Sequence, residues 1–242
     1  MTTRKPTKAR ATSARAPGHA GPSRMPHQLR IIGGRWRGTR LDFPAVEAIR
    51  PTPDRVRETL FNWLAPTIGG ARCLDLFAGS GALGLEALSR GARAVVFVDR
   101  DARIGAYLRE TLGRLKCEDA RVLVGDAQRC LVDLEGPFEV VFLDPPFGAG
   151  LVPAYLAELS SRGMLSPGAL VYIESEAEAG EPVLPAGWVL HRTGRAGSRW
   201  RGFRYTPFAA GEGTMGVPLS EQPGADLKVV LPRLSWEFWE EQ

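Results

Sequence analysis

The sequence predicts an open α/β fold built on a mostly parallel sheet. From Arg72 onward, short apolar runs alternate with helix-period segments, the pattern of strand–helix–strand crossovers. A glycine-rich bend follows the first of these runs. Acidic residues close several of the later ones, where sheets of this kind bind ligands. The chain has 242 residues, 44% hydrophobic and 24% charged, which suits one globular domain with tails.

Residues 1–28 read as a disordered basic arm, rich in Arg, Ser and Ala and without acids. An organelle transit peptide has a similar composition, and the arm is the preferred reading. Leu29 to Phe43 predicts a β-hairpin with glycines at Gly33, Gly34 and Gly38. Thr52-Pro53-Asp54 predicts a helix start, with Thr52 as cap and Pro53 at the first position. Its apolar face would be Val56, Leu60, Phe61 and Leu64, and Pro66 with Gly69-Gly70 would end it. Strands follow at Cys73–Phe77, Ala94–Asp99, Arg121–Asp126, Phe138–Asp144 and Ala169–Ser175, with a helix near Asp101–Leu115. Two more strands are expected around Trp188–Arg192 and Trp200–Thr206. The domain spans 29–207: hairpin and helix over 29–66, cofactor-binding core over 67–207. Residues 208–242, with six acids to two bases and no continuing pattern, are expected to be a mobile tail.

Seven basic residues precede position 31 with no acid among them. The rest of the chain carries 24 basic and 27 acidic side chains. Further basic stretches are Arg35, Arg37 and Arg40, then Arg192, Arg195, Arg199, Arg201 and Arg204. A local positive footprint on a mildly acidic body points to a phosphate-bearing partner at one face. The three cysteines and three histidines fit neither a disulfide framework nor metal-ligand spacing, so no metal and a reducing cytoplasm are expected. No apolar run is long enough to span a membrane.

After the first strand comes DLFAGSGALG, Asp75 to Gly84. Gly79, Gly81 and Gly84 match the dinucleotide fingerprint, and Asp99 lies twenty residues past Gly79. Taken alone, that admits NAD. Asp75, however, would repel a diphosphate and attract a methionine ammonium or a sulfonium. Asp99 can accept from both ribose hydroxyls, and Asp126 from an adenine amine. Either acid could equally be a helix cap. Three acids at successive strand ends around a glycine loop favour S-adenosylmethionine.

Asp144-Pro145-Pro146-Phe147 follows the fourth strand. The two prolines force an extended turn that holds the Asp144 carboxylate and the Pro145 carbonyl in fixed relation. Two acceptors suit the two N–H donors of an exocyclic base amine, and Phe147 can stack on the base. Such an amine is a poor nucleophile, because its lone pair is delocalised into the ring. Gripping both hydrogens aims that lone pair at an electrophilic methyl.

These segments, with LRIIGGRWRGTRL, RPTPDRVRETLFNWL, CLDLFAGSGALGLEALSRGA, FLDPPF and VYIESE, run in order from Leu29 to Tyr205. The chain resembles the bacterial 16S rRNA (guanine966-N2)-methyltransferase family, RsmD. The resemblance implies a class I methyltransferase fold: a seven-stranded, Rossmann-like sheet with its last strand antiparallel, plus an N-terminal hairpin. It implies methylation of the N2 amine of one guanine in 16S rRNA of the small ribosomal subunit or its assembly intermediate, by a cytoplasmic monomer. Asp75, Phe77, Ala78, Gly79, Ser80, Gly81, Asp99, Arg100, Asp126 and Ala127 would hold the cofactor. Asp144, Pro145, Pro146 and Phe147 would be catalytic. Arg30, Arg35, Arg37, Arg40, Arg50, Arg55 and Arg57 would meet RNA, the last three in a signature with Thr52 that contacts RNA or covers the cofactor. A DNA adenine or cytosine amino-methyltransferase is the alternative, disfavoured by the lack of a separate target-recognition domain. An NAD-linked oxidoreductase and a non-catalytic assembly factor are weaker still, given Asp75 and the intact loops.

Overall fold

The computed structural model describes residues 27–46, 52–146, 150–176, 184–196, 199–205 and 227–229. Most of the expected arm and tail, with Arg50 and Phe147, lies outside the described residues.

The hairpin forms as expected. Strands β1 (His27–Arg30) and β2 (Arg40–Phe43) pair antiparallel with Leu29 opposite Leu41. β1 thus begins inside the stretch assigned to the arm. Leu29, Ile31, Leu41 and Phe43 are buried while Arg30 and Arg40 are exposed, so one face is packed and the other solvated. The turn touches the end of a core helix so closely that a Cβ on Gly34 would sit 1.8 Å from the Ser89 carbonyl oxygen. Gly34 also has φ +74°, so only glycine fits there.

Helix α1 (Asp54–Ile68) departs from expectation in three ways. Pro53 occupies the cap position, and Thr52 does not cap: its hydroxyl lies 3.2 Å from Glu174 Oε1. Pro66 does not end the helix, which runs on to Ile68. Pro66 lacks the amide for its own bond to the preceding turn, and the helix ends two residues later. The packed face is Leu60, Phe61, Leu64 and Ile68, and it includes the charged Arg57, while Val56 is only half-buried.

The remaining elements alternate as the sequence predicts: β3 (Arg72–Asp75), α2 (Ala82–Ser89), β4 (Ala94–Asp99), α3 (Ala102–Arg114), β5 (Ala120–Val124), α4 (Ala127–Asp133), β6 (Phe138–Leu143), α5 (Val152–Ser161) and β7 (Leu165–Glu176). Then come β8 (Val189–Ala196), β9 (Arg199–Tyr205) and β10 (Leu227–Val229). The sheet order is β10-β8-β9-β7-β6-β3-β4-β5. Strands β5 to β7 in that order are parallel neighbours, and β9 runs antiparallel to both β7 and β8. The described sheet has eight strands rather than seven; the addition is β10, from the stretch read as a tail.

Both faces are covered. The hairpin, α1, α2 and α3 pack on one side and α4 and α5 on the other. That is why the central strand β6 reads FEVVFL, nearly all buried, and not as an alternating pattern. Chain order reverses at β3: β4 and β5 lie to one side, β6 and β7 to the other. The loops after β3 and β6 therefore emerge side by side at the carboxyl edge, where open sheets bind ligands.

Candidate active site

The loop after β3 is fastened from three directions. The Gly79 amide donates to Asp99 Oδ2 at 2.8 Å, the Ala78 amide to the Val98 carbonyl at 2.9 Å, and the Gly84 amide to Asp75 Oδ2 at 2.9 Å. Gly79 and Gly81 have φ of +50° and +73°. A Cβ on Gly81 would lie 2.6 Å from Leu108 Cδ2, and one on Gly84 2.2 Å from the Phe97 ring. Gly81 thus makes the bend, and Gly84 lets α2 lie against β4. Phe77 packs edge-on to Tyr155 of α5, with ring centres 5.2 Å apart.

The three acids behave differently. Asp75 is buried beneath the loop, so it supports the loop's geometry and reaches a ligand through space and not by open contact. Burial pushes its pKa up to about 7; the Gly84 amide opposes this and the Asp99 charge adds to it. Asp99, at the end of β4, is half-buried and uses both oxygens: Oδ2 takes Gly79, and Oδ1 takes the Asp101 amide at 2.8 Å. Each carboxylate oxygen can accept more than one hydrogen bond, so hydroxyl donors still fit. Asp126 is exposed and caps α4, its Oδ1 accepting from Gln128 and Arg129 amides at 3.1 and 3.2 Å. Arg100 is exposed and Ala127 buried beside these acids.

On the neighbouring strand, β6 ends at Leu143 and Asp144 follows, half-buried, with Pro145 buried and Pro146 exposed. Asp75 pairs with Phe142 in the sheet, so Asp144 stands one strand from the glycine loop. Among the described residues no group of His, Cys, Asp and Glu could hold a metal ion, and no helix is long and apolar enough to cross a membrane.

The arginines do not form one face. Arg30, Arg37, Arg40 and Arg55 are exposed. Arg35 lies 3.9 Å from Asp119, just before β5, at the amino edge of the sheet, opposite the edge that carries Asp99 and Asp144. Arg57 is a correction: it is 1% exposed and cannot meet RNA. Its guanidinium donates to the Thr52 carbonyl at 3.1 Å, the Arg30 carbonyl at 2.8 Å, Asp54 at 2.6 Å and Glu86 at 3.4 Å. Thr52 is also buried, held by Glu174, which takes the Tyr172 hydroxyl at 2.7 Å. Within the signature Thr52 and Arg57 are therefore a brace, while Arg55 stays on the surface.

Glu86 is the residue that sequence reasoning missed. Fully buried on α2, it accepts from the Ile32 and Gly33 amides at 2.9 and 2.8 Å, from Arg57, and from Arg90 Nε at 2.7 Å. It ties the hairpin and α1 to the helix that carries the cofactor loop. The available signal was a lone acid inside the otherwise apolar ALGLEALS.

Comparison with known proteins adds to this geometry. Residues 29–203 match the model of a family described as conserved hypothetical protein 95. The chain belongs to this family. It is 49% identical over 181 residues, 75% of this chain and 89% of the relative, to the ribosomal RNA small subunit methyltransferase D of Escherichia coli K12. The Haemophilus influenzae protein of the same name is 44% identical over 169 residues, 67% of this chain and 86% of its own. A solved structure of a methyltransferase from Escherichia coli, titled putative, superposes with a TM-score of 0.70 at 46% identity, covering 75% of this chain and 99% of that one.

Proposed function

We propose that this protein methylates the N2 amine of a guanine in small-subunit rRNA, with S-adenosylmethionine as donor. The observation that carries the reading is the adjacency of Asp144-Pro145 to the glycine loop at the carboxyl edge, in a chain whose relatives bear the name small-subunit rRNA methyltransferase. The residues present suit the cofactor: a left-handed glycine bend with no room for a Cβ, Asp99 placed for ribose hydroxyls, and Asp126 at the next strand end for the adenine amine.

S-adenosylmethionine supplies a methyl group on a sulfonium. The chain's own residues position the nucleophile. Asp144 and the Pro145 carbonyl accept the two amine hydrogens and aim the nitrogen lone pair. As the nitrogen takes the methyl group from the sulfonium, positive charge would pass to it, and the Asp144 carboxylate would stabilise that charge until the proton is lost to water. A base must leave its stack to reach this loop, so an exposed or splayed RNA loop is the expected target.

The test is to treat small-subunit particles with the protein and a methyl-labelled donor, digest the RNA and identify the labelled nucleoside. N2-methylguanosine is expected. Label in N6-methyladenosine or N4-methylcytidine would refute the guanine assignment, and no label in RNA would refute the reading as a whole.

A further inference from the structure

Strands β8 and β9 bring Arg192, Arg195, Arg199, Arg201 and Arg204 into the sheet, and nothing in the site above uses them. We propose that the carboxyl-edge end of β8 and β9 is a second contact for the substrate RNA, taking phosphates that flank the target base. The inference rests on the function proposed above and names where its substrate lies.

Strand register carries the placement. Leu143 of β6 pairs with Ile173 of β7, so Asp144 and Glu174 come next at the carboxyl edge. β9 enters from that edge: Arg199, Trp200 and Arg201 pair with Glu176, Ser175 and Glu174. β8 reaches the same level, with Arg195 opposite Trp200 and Ala196 opposite Arg199. From the strand of Asp144 it is two strand steps to β9 and three to β8. At about 4.8 Å per step this is roughly 10–15 Å, a span of a few nucleotides.

Charge decides the occupant. The other half of the same edge carries Asp99, Asp101 and Asp126, with Arg100 and Arg103 beside them. Residues 191–205 contain five arginines and no acid. A polyanion whose base is held at Asp144 is drawn toward the half with the excess of arginine. Arg199 and Arg201 stand opposite Glu176 and Glu174 in the register. Arg195 stands opposite Trp200 near the edge, while Arg192 lies between Phe203 and Val229 within the sheet. An arginine and a tryptophan at one register position is a combination suited to single-stranded nucleic acid.

The test compares the full chain with Arg195→Ala and Arg195→Lys. The readouts are KM and kcat on small-subunit particles, salt-dependent binding of protein-free small-subunit RNA, cofactor affinity and Tm. Arg195→Ala should raise KM by about threefold or more and lower the logarithmic salt slope by roughly 0.7–0.9, with kcat and cofactor affinity unchanged. Arg195→Lys should keep the slope. An unchanged KM and slope in Arg195→Ala would overturn the inference. So would equal losses in both variants accompanied by a lower Tm, or a defect on particles that is absent with protein-free RNA, which would indicate a protein partner. Failure of the unaltered chain to label RNA refutes the proposed function instead, and is read before any variant.

Discussion

Arg57→Met separates a brace from an RNA ligand. In the folded protein the Arg57 guanidinium makes four hydrogen bonds, two to backbone carbonyls and two to carboxylates, one of them on the fully buried Glu86. Methionine is close in length and fills much of the space, so the cavity contribution is small. What is lost is the partner of a buried charge. Glu86 keeps Arg90 and two amides, while the Thr52 and Arg30 carbonyls lose their guanidinium donors. Breaking a buried pair by removing one member costs about 3–5 kcal/mol. For a domain of this size each kcal/mol is worth about 2–4 °C, so Tm should fall by roughly 6–20 °C. Arg57→Lys should be nearly as damaging, because an ammonium cannot reproduce the planar fork. The assay is thermal unfolding beside RNA binding at a temperature where both proteins are folded. A Tm within about 2 °C of the parent, together with weakened RNA binding, would refute the brace and restore Arg57 to the RNA surface.

Asp99→Ala should weaken S-adenosylmethionine binding tenfold or more by calorimetry, for a loss of about 1.5–3 kcal/mol in hydrogen bonds to a charged acceptor. The same change frees the Gly79 and Asp101 amides, so Tm should fall too; unchanged affinity would remove Asp99 from the site. Burial holds the Asp75 pKa at about 7 in the fold, against an ordinary carboxyl value of 3.8, so the folded state holds a proton that the unfolded chain releases. The linkage therefore removes stability as pH rises from about 4 to about 7 and is flat above. Asp75→Asn, which keeps an acceptor for Gly84, should raise Tm at pH 8 and not at pH 4; an equal effect at both pH values would show that Asp75 does not titrate in this window. Asp144→Asn keeps an acceptor oxygen and should retain some turnover. Asp144→Ala should lose about 3–4 kcal/mol of transition-state stabilisation with cofactor affinity intact, by analogy with loss of a preorganised polar group. Full activity in the alanine variant would refute the positioning role.

The strands were legible because burial on both faces leaves little freedom in composition: AVVFVD is β4 residue for residue, and FEVVFL is β6 short of its terminal acid. The strand-end acids were legible as positions but not as roles. The same oxygen that could meet a cofactor can also meet the first amides of the next helix, and sequence does not rank the two. In the fold Asp126 caps α4, the alternative left open, and Asp101 rather than Asp99 caps α3. The arginines were the hardest to read. A side chain's charge is local, but whether it is buried depends on where a hairpin 27 residues upstream comes to rest, and Arg57 is covered because the Arg30 carbonyl lands on it.

That dependence on distant packing gives Glu86 its importance. Hairpin amides, an α1 arginine and the arginine that follows α2 converge on one carboxylate, five residues past the Gly81 bend. Glu86→Gln should therefore disturb more than stability. A neutral amide has one acceptor oxygen, so it can serve only one of the Ile32 and Gly33 amides, sets its NH2 against the other, and leaves the buried Arg57 and the half-buried Arg90 short of charge. The hairpin and the N-terminal end of α1 should loosen from α2, and hydrogen exchange should speed up at Ile31–Gly34 and Thr52–Arg57 before it changes at β4 or β6. Cofactor affinity should fall less than in Asp99→Ala, because the amides of the Gly79–Gly81 bend remain held by Asp99 and the Ala78 carbonyl. Uniform acceleration across β4, β6 and the hairpin would show instead that Glu86 acts on the whole fold and not on this joint.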